Sequence, residues 1–265
     1  MEISTSLAVM IGAKMLLTMS IVVAASFLVE RSGPFLGAMI ATLPISAGPS
    51  YVFLAMDHGA GFIAQSTVAT IVTNGVNGIF VLTYAHMAQR FSLLPCLLAA
   101  LAVWFLCIGL AHLVAWDMAS AVVFNLACFG LASYLTRHLE AGEPLGVMRR
   151  SVWEIPARAF GVMCLVGFVM MAGFVLGPEA AGYAAPFPIV LSSLIVILHK
   201  RIGGRATAVT MVHTLPGLLG FGVAVTVMHW TAETMGAALS LVLALIMCMC
   251  WNLALMWRKK TRETA

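Results

Sequence analysis

The sequence has little charge. Only 9% of its 265 residues are charged, whereas 62% are hydrophobic, and the mean hydropathy is +1.04. A soluble globular chain averages about 25% charged residues. This composition therefore excludes a soluble globular protein and predicts an integral membrane protein.

Acidic residues are absent from the interior of every long apolar segment. The acids nearest to these segments all lie at segment ends: Glu30, Asp57, Asp117, Glu179 and Glu233. A cation–proton exchanger would be expected to bury paired carboxylates within the membrane. Their absence means that an intramembrane cation site would have to rely on carbonyl and hydroxyl oxygens.

Cysteines are absent from the polar connections. All six lie in apolar segments: Cys96, Cys107, Cys128, Cys164, Cys248 and Cys250. This distribution argues against disulfides and zinc sites and favours packing roles. Metal-ligand spacings, phosphate loops and nucleophile–base pairs are also missing, so we expect no metal, no cofactor and no enzymatic activity.

Nine apolar segments are each about 20 residues long, the length needed to cross roughly 30 Å of hydrocarbon. The predicted spans are 7–29, 34–56, 61–85, 91–113, 118–135, 159–176, 179–198, 206–228 and 234–257. The one sizeable polar connection covers residues 136–158. The sequence thus predicts an all-α polytopic membrane protein with about nine transmembrane helices.

Basic residues divide unequally between the two faces that nine spans create. Thirteen lysines and arginines fall on one face and none on the other; Lys14 is the fourteenth. Positive residues concentrate on the cytoplasmic side. We therefore expect a multi-pass protein of the inner (plasma) membrane, with an external N-terminus and a cytoplasmic C-terminus. Since topology explains the basic residues, nucleic acid is not an expected partner.

An internal repeat relates the two halves of the chain. At an offset of 144 positions, sixteen of the seventy residues from 13 to 82 are identical, including Gly33-Pro34 with Gly177-Pro178 and Pro44-Ile45 with Pro188-Ile189. Span 1 then corresponds to span 6, five crossings later, so equivalent helices run in opposite directions. The predicted organisation is a first repeat at 1–135, a cytoplasmic loop at 136–158, an inverted repeat at 159–257 and a tail at 258–265.

This arrangement resembles inverted-repeat secondary transporters in general, such as the bile-acid symporter and cation–proton antiporter architectures. The resemblance is architectural, covers nearly the whole chain and carries no family motif. It implies a binding site near the membrane midplane, where interrupted helices of the two repeats meet.

Two prolines interrupt equivalent spans near their centres, Pro44 in span 2 and Pro188 in span 7. Helices broken at the membrane midplane offer free amides to an anion and free carbonyls to a cation. The neighbouring hydroxyl residues are Ser46, Ser50, Ser192 and Ser193. The alternative is a pair of ordinary proline kinks whose backbone groups are satisfied by neighbouring helices.

Two basic residues at equivalent positions of the repeats favour an anionic ligand. Lys14 lies about halfway along span 1, and Arg158 lies at the cytoplasmic end of span 6. A charge that faces the helix bundle would mark a polar pathway. Alternatively, Lys14 extends its long side chain to the membrane interface.

Other polar residues within spans admit two interpretations each. His213 in span 8 is a candidate for proton coupling, or a neutral histidine bonded to a backbone carbonyl. Thr70 and Asn74 belong to a polar face of span 3 that could line a site, or hold helices together.

Our leading hypothesis is a secondary transporter that moves a small anionic solute by alternating access at a midplane site. The expected partners are the bilayer and this solute, and the sequence leaves open whether the chain forms a homodimer. One alternative is a membrane-embedded enzyme or lipid-handling protein that acts on an isoprenoid or phospholipid head group. Another is a membrane anchor for a partner protein, which would leave the two equivalent helix breaks unexplained.

Overall fold

The computed structural model describes residues 5–31, 47–139 and 154–263, and all regular elements in these ranges are helices. A single 3-10 turn, Arg137–Leu139, follows the fifth helix. The α-helices are α1 Thr5–Arg31, α2 Ala47–Asp57, α3 Ala60–Met87, α4 Leu93–Ala111, α5 Met118–Thr136, α6 Glu154–Leu176, α7 Pro178–Ala184, α8 Ile189–Ile202, α9 Gly204–Val212, α10 Leu215–Met235 and α11 Ala237–Glu263.

Seven helical segments of the described chain are long and apolar enough to cross a membrane. They coincide with predicted spans 3 to 9. In addition, α1 covers predicted span 1, and α2 covers the second half of predicted span 2. The first half of span 2, with Pro44 and Ser46, lies outside the described residues. The chain is therefore an all-α, multi-pass membrane protein, while the count of nine spans stays a prediction.

Several boundaries differ from those predicted. Helix α6 begins at Glu154, inside the segment assigned to the cytoplasmic loop, and α10 extends to Met235, beyond the predicted end at 228. Gly236 then separates α10 from α11 with a φ of 84°, a left-handed conformation that favours glycine. Predicted span 8 ends early because the polar residues from His229 to Thr234 suggest a loop, whereas the helix continues through them.

Helix α3 is the centre of the bundle. In its most apolar window 78% of residues are buried, against 11% in α11, which lies at the periphery. Small residues permit this central packing: a Cβ on Gly75 would lie 3.1 Å from the Cα of Asn125 in α5. Close backbone approach through glycine is typical of helix packing in membranes.

Candidate functional site

The segment from Pro178 to Ile202 is a broken helix. Helix α7 ends at Ala184, and α8 begins at Ile189 after Pro188. Pro186 and Pro188 have no N–H, so the carbonyls four residues earlier, of Gly182 and Ala184, lose their usual helical donors. The predicted interruption at Pro188 thus has a second cause in Pro186, which the sequence interpretation overlooked.

Side chains of α3 bond to carbonyls at this break. The Thr70 hydroxyl donates to the Gly182 carbonyl at 2.9 Å, and Asn77 Nδ2 donates to the Pro186 carbonyl at 2.8 Å. The Ala184 carbonyl accepts from the backbone N–H of Phe187 at 3.0 Å. Helix α3 therefore supplies donors in a hydrocarbon region where water cannot.

Each of these two α3 side chains also forms a hydrogen bond with an aromatic side chain. The Tyr51 hydroxyl of α2 lies 2.5 Å from the Thr70 hydroxyl, and Trp104 Nε1 of α4 donates to Asn77 Oδ1 at 2.8 Å. Because Thr70 gives its proton to Gly182, Tyr51 is the donor in the first pair. The break is thus anchored to α2, α3 and α4 together.

Asn74 occupies the middle of α3 and is fully buried. Its Nδ2 donates to the Leu218 carbonyl of α10 at 2.9 Å, while its Oδ1 has no partner among the described residues. A Cβ on Gly222 would lie 3.0 Å from both Asn74 Nδ2 and Asn125 Oδ1. Two amide side chains therefore meet α10 at the centre of the bundle, one of them with a free acceptor.

The serines predicted near the breaks lie at different places. Ser193 donates within its own helix to the Val190 carbonyl at 2.8 Å. The Ser192 hydroxyl, in the first turns of α8, is buried without a partner in the described chain. Ser50 is buried in α2.

Lys14 forms an ion pair with Asp57, the last residue of α2, and lies 5.7 Å from the centre of the Phe53 ring. The two charged side chains are 12% and 11% exposed. The sequence interpretation had left Asp57 as a span-end acid without a role. Arg158 lies in α6, and its side chain is outside the described part of the structure.

His213 lies at the junction of α9 and α10, and its side chain is exposed. Its backbone N–H donates to the Val209 carbonyl at 3.1 Å, as the last bond of α9. Predicted span 8 is therefore interrupted as well, with Pro216 in the first turn of α10.

Sequence reasoning missed Tyr51, Asp57, Trp104 and Asn125 as partners in these contacts. For Asp57 a signal existed, because a lysine in the middle of a span needs an acid and Asp57 is an acid close to a neighbouring span. Among the described residues, no group of three or more histidine, cysteine, aspartate or glutamate side chains could hold a metal ion.

The fold and these contacts define a multi-pass helical membrane protein with a broken helix inserted against its central helix. Comparisons with known protein families, characterised proteins and solved structures found no match.

Proposed function

We propose that this chain is a secondary transporter that moves a small anionic solute through a site at the α7–α8 break. The break between Ala184 and Ile189, held in place by Thr70 and Asn77, is the observation that carries the proposal. Transporters commonly bind substrates where discontinuous helices expose their ends near the midplane. An ordinary anchoring subunit has no need of such an interruption.

The contact between Asn74 and Leu218 supports an inverted repeat. These residues are 144 positions apart, the same offset that relates the two halves of the sequence. When two repeats are related by a two-fold axis, a residue that contacts its own equivalent lies at that axis. The equivalent helices α1 and α6 also pack together.

Two further helix pairs follow the same symmetry. Helix α4 packs on α8, and α11 packs on α2, as the exchange of repeats requires. The axis would then pass near Asn74, whose Oδ1 has no partner among the described residues and lies at the centre of α3. Alternating access by rocking one repeat against the other is the mechanism that suits this symmetry.

The hydrogen bonding at the two helix ends of the break favours an anionic ligand over a cationic one. Carbonyls of Gly182, Ala184 and Pro186 already accept hydrogen bonds from the protein, whereas no side chain of the described residues caps the N-terminus of α8. The N-terminal end of a helix carries partial positive charge and free amide donors. The buried hydroxyl of Ser192 adds a donor in the same turns.

Pro188→Ala tests whether the break forms the site. Alanine supplies an N–H that can bond to the Ala184 carbonyl in the regular helical pattern, so α8 can extend back towards Pro186 and narrow the break. We expect a stable protein with at least about tenfold lower uptake. Uptake would be measured in proteoliposomes with labelled acetate, succinate and phosphate. Pro178→Ala is the control, because Pro178 stands in the first turn of α7, where proline costs no hydrogen bond.

Equal uptake by Pro188→Ala, Pro178→Ala and the wild type would contradict a site at the break. Wild-type protein that takes up none of the anions would contradict the anionic solute itself.

We further propose an external N-terminus and a cytoplasmic C-terminus in the inner membrane. The thirteen-to-zero division of basic residues between the faces supports this orientation. Reporter fusions are expected to be external at 58, 117 and 236 and cytoplasmic at 90, 145, 202 and 262. An even number of crossings would contradict the inverted repeat along with the orientation.

A further inference from the structure

Three ionisable side chains meet at the end of α2. Lys14 of α1 pairs with Asp57 Oδ1, and His58 follows Asp57 in the turn before α3. Asp57 Oδ2 and His58 Nε2 are both buried without partners in the described residues. A buried carboxylate oxygen without a partner is costly, so this arrangement calls for a functional explanation.

The cluster lies above the helix break on the proposed external side. Asp57 is six residues beyond Tyr51 on α2, which corresponds to roughly 9 Å along the helix axis. Tyr51 is the residue that holds Thr70, and thereby Gly182, at the break. The ion pair is therefore about two helical turns from the proposed site.

We infer that Asp57 is the proton-coupling group of this protein, and that its protonation releases Lys14 to bind the anionic solute. This inference rests on the proposed function. The unprotonated carboxylate and the solute compete for one ammonium group, so the protein favours binding a proton and an anion together. One proton joins Asp57 Oδ2, the ion pair with Lys14 is lost, and no covalent bond to the solute forms.

Reciprocity makes this a mechanism for symport. If protonation raises the affinity for the anion, the bound anion raises the affinity for the proton by the same factor. A proton gradient can then drive accumulation of the anion. His213, the group that the sequence suggested for coupling, is exposed and lies in another part of the fold.

The surroundings of Asp57 leave few competing groups. His58 stacks on the Phe62 ring at 4.0 Å and lies 4.9 Å from the Phe174 ring of α6. Burial lowers the pKa of His58; the Asp57 carboxylate opposes this shift, and the Lys14 ammonium adds a smaller lowering. Two exposed acids of the described chain also lie towards this end: Glu233 of α10, whose Oε1 would lie 3.5 Å from a Cβ on Gly61, and Glu179 of α7, whose Oε1 lies 3.8 Å from His112 Nδ1.

The internal repeat places the proton-dependent Lys14–Asp57 pair on the external side only. At the offset of 144, Lys14 corresponds to Arg158 and Asp57 corresponds to Arg201, so the cytoplasmic counterpart has no carboxylate. An anion arriving from outside would meet a lysine that is released only by a proton. The counterpart positions on the cytoplasmic side carry no such proton requirement.

The test compares anion binding and proton uptake at about pH 5.5 and about pH 7.5. The probes are succinate, acetate and inorganic phosphate, each added to the full chain in detergent. We expect the wild type to bind at least one probe about tenfold more tightly at the lower pH. Asp57→Asn should bind that probe with similar, tight affinity at both pH values, and Lys14→Gln should bind it weakly at both.

Control variants separate Asp57 from the other titratable groups. His213→Gln, Glu233→Gln and His58→Gln should all retain the wild-type pH dependence. Retention of that dependence in Asp57→Asn would overturn the inference, and so would its loss in His58→Gln alone, which would assign the proton to the histidine.

A measurement on the wild-type protein tests the inference without depending on whether the variants fold. Addition of acetate or succinate, whose carboxyl groups are ionised near pH 7, to weakly buffered wild-type protein should remove close to one proton from solution per anion bound. Phosphate is left out of this measurement because it exchanges protons itself near pH 7. Binding without proton uptake would overturn the inference while leaving the proposed function intact. Failure of all probes to bind the wild type at either pH would instead overturn the anion-transport function, and the inference with it.

Discussion

Gly182→Ala is expected to lower the free energy of unfolding by about 3 kcal/mol or more. Gly182 lies in α7, where its missing side chain allows contact with α3. A Cβ at this position would lie 2.1 Å from the Ser66 carbonyl oxygen and 2.9 Å from the Ala69 Cβ. The first obstacle is backbone, so the helices themselves must separate.

Separation of α7 from α3 would have a second cost. The Gly182 carbonyl would move away from the Thr70 hydroxyl, its donor across this contact. In hydrocarbon no water replaces that donor. We therefore expect Gly182→Ala to lose anion uptake in proteoliposomes as well as thermal stability in detergent.

Gly130→Ala is the matched control for this prediction. Gly130 lies on an exposed face of α5, and a Cβ there would have no described residue within 4 Å. Replacing a helical glycine by alanine at such a site stabilises by about 0.5–1 kcal/mol. If Gly182→Ala unfolds at or above the temperature of Gly130→Ala, α7 does not lie within backbone contact of α3 at this glycine.

The long apolar helices were predictable because hydropathy is a property of long runs. Predicted spans 3 to 9 each coincide with a membrane-length helical segment. The interior turn at His213 was harder to locate, because it lies inside a predicted span whose apolar character continues on both sides. Predicted span 8 ended too early for the opposite reason, because the polar residues from His229 to Thr234 belong to the helix.

The contacts of the candidate site were predictable only in part. A proline pattern indicates where a helix is interrupted, and the polar face of span 3 indicates that something polar lies opposite. Neither pattern shows that Thr70 bonds to Gly182, since the partners are 112 residues apart. Helix facing is set by packing, which composition does not encode residue by residue.

The ion pair of Lys14 illustrates the same limit. The sequence offered two interpretations for this lysine, a charge beside a polar pathway or a side chain that extends to the interface. Its partner Asp57 is 43 residues away and near the end of another span. Only the packing of α1 and α2 against α6 brings the two together, and the pair changes how the charge of Lys14 can act.

Asn77→Leu is expected to lower the free energy of unfolding by about 2–6 kcal/mol, with about 1–3 kcal/mol from each group left unsatisfied. Leucine fills a similar volume but removes two hydrogen bonds. The Pro186 carbonyl loses its donor and Trp104 Nε1 loses its acceptor, both at 2.8 Å in the structure. Asn77 and Trp104 are each only 4% exposed, so neither orphaned partner can turn to water.

A double variant separates these two losses. Trp104→Phe removes the indole N–H, so the pair Asn77→Leu and Trp104→Phe should be more stable than the sum of the single variants predicts. Asn252→Leu is the control. Asn252, on peripheral α11, donates at 2.8 Å to the Cys248 carbonyl of its own helix, so we expect a change within about 0.5 kcal/mol.

The effect of Asn77→Leu on transport depends on the position of the hydrogen bond from Asn77 to the Pro186 carbonyl. Asn77 holds the Pro186 carbonyl, just before α8, and Thr70 holds the Gly182 carbonyl, near the end of α7. Together these two bonds set the spacing between the two half-helices. Loss of Asn77 should therefore reduce anion uptake even in the fraction of protein that stays folded. If Asn77→Leu and Asn252→Leu were equal in stability and in uptake, α3 would not hold the break. The broken helix would then keep its shape through its own prolines alone.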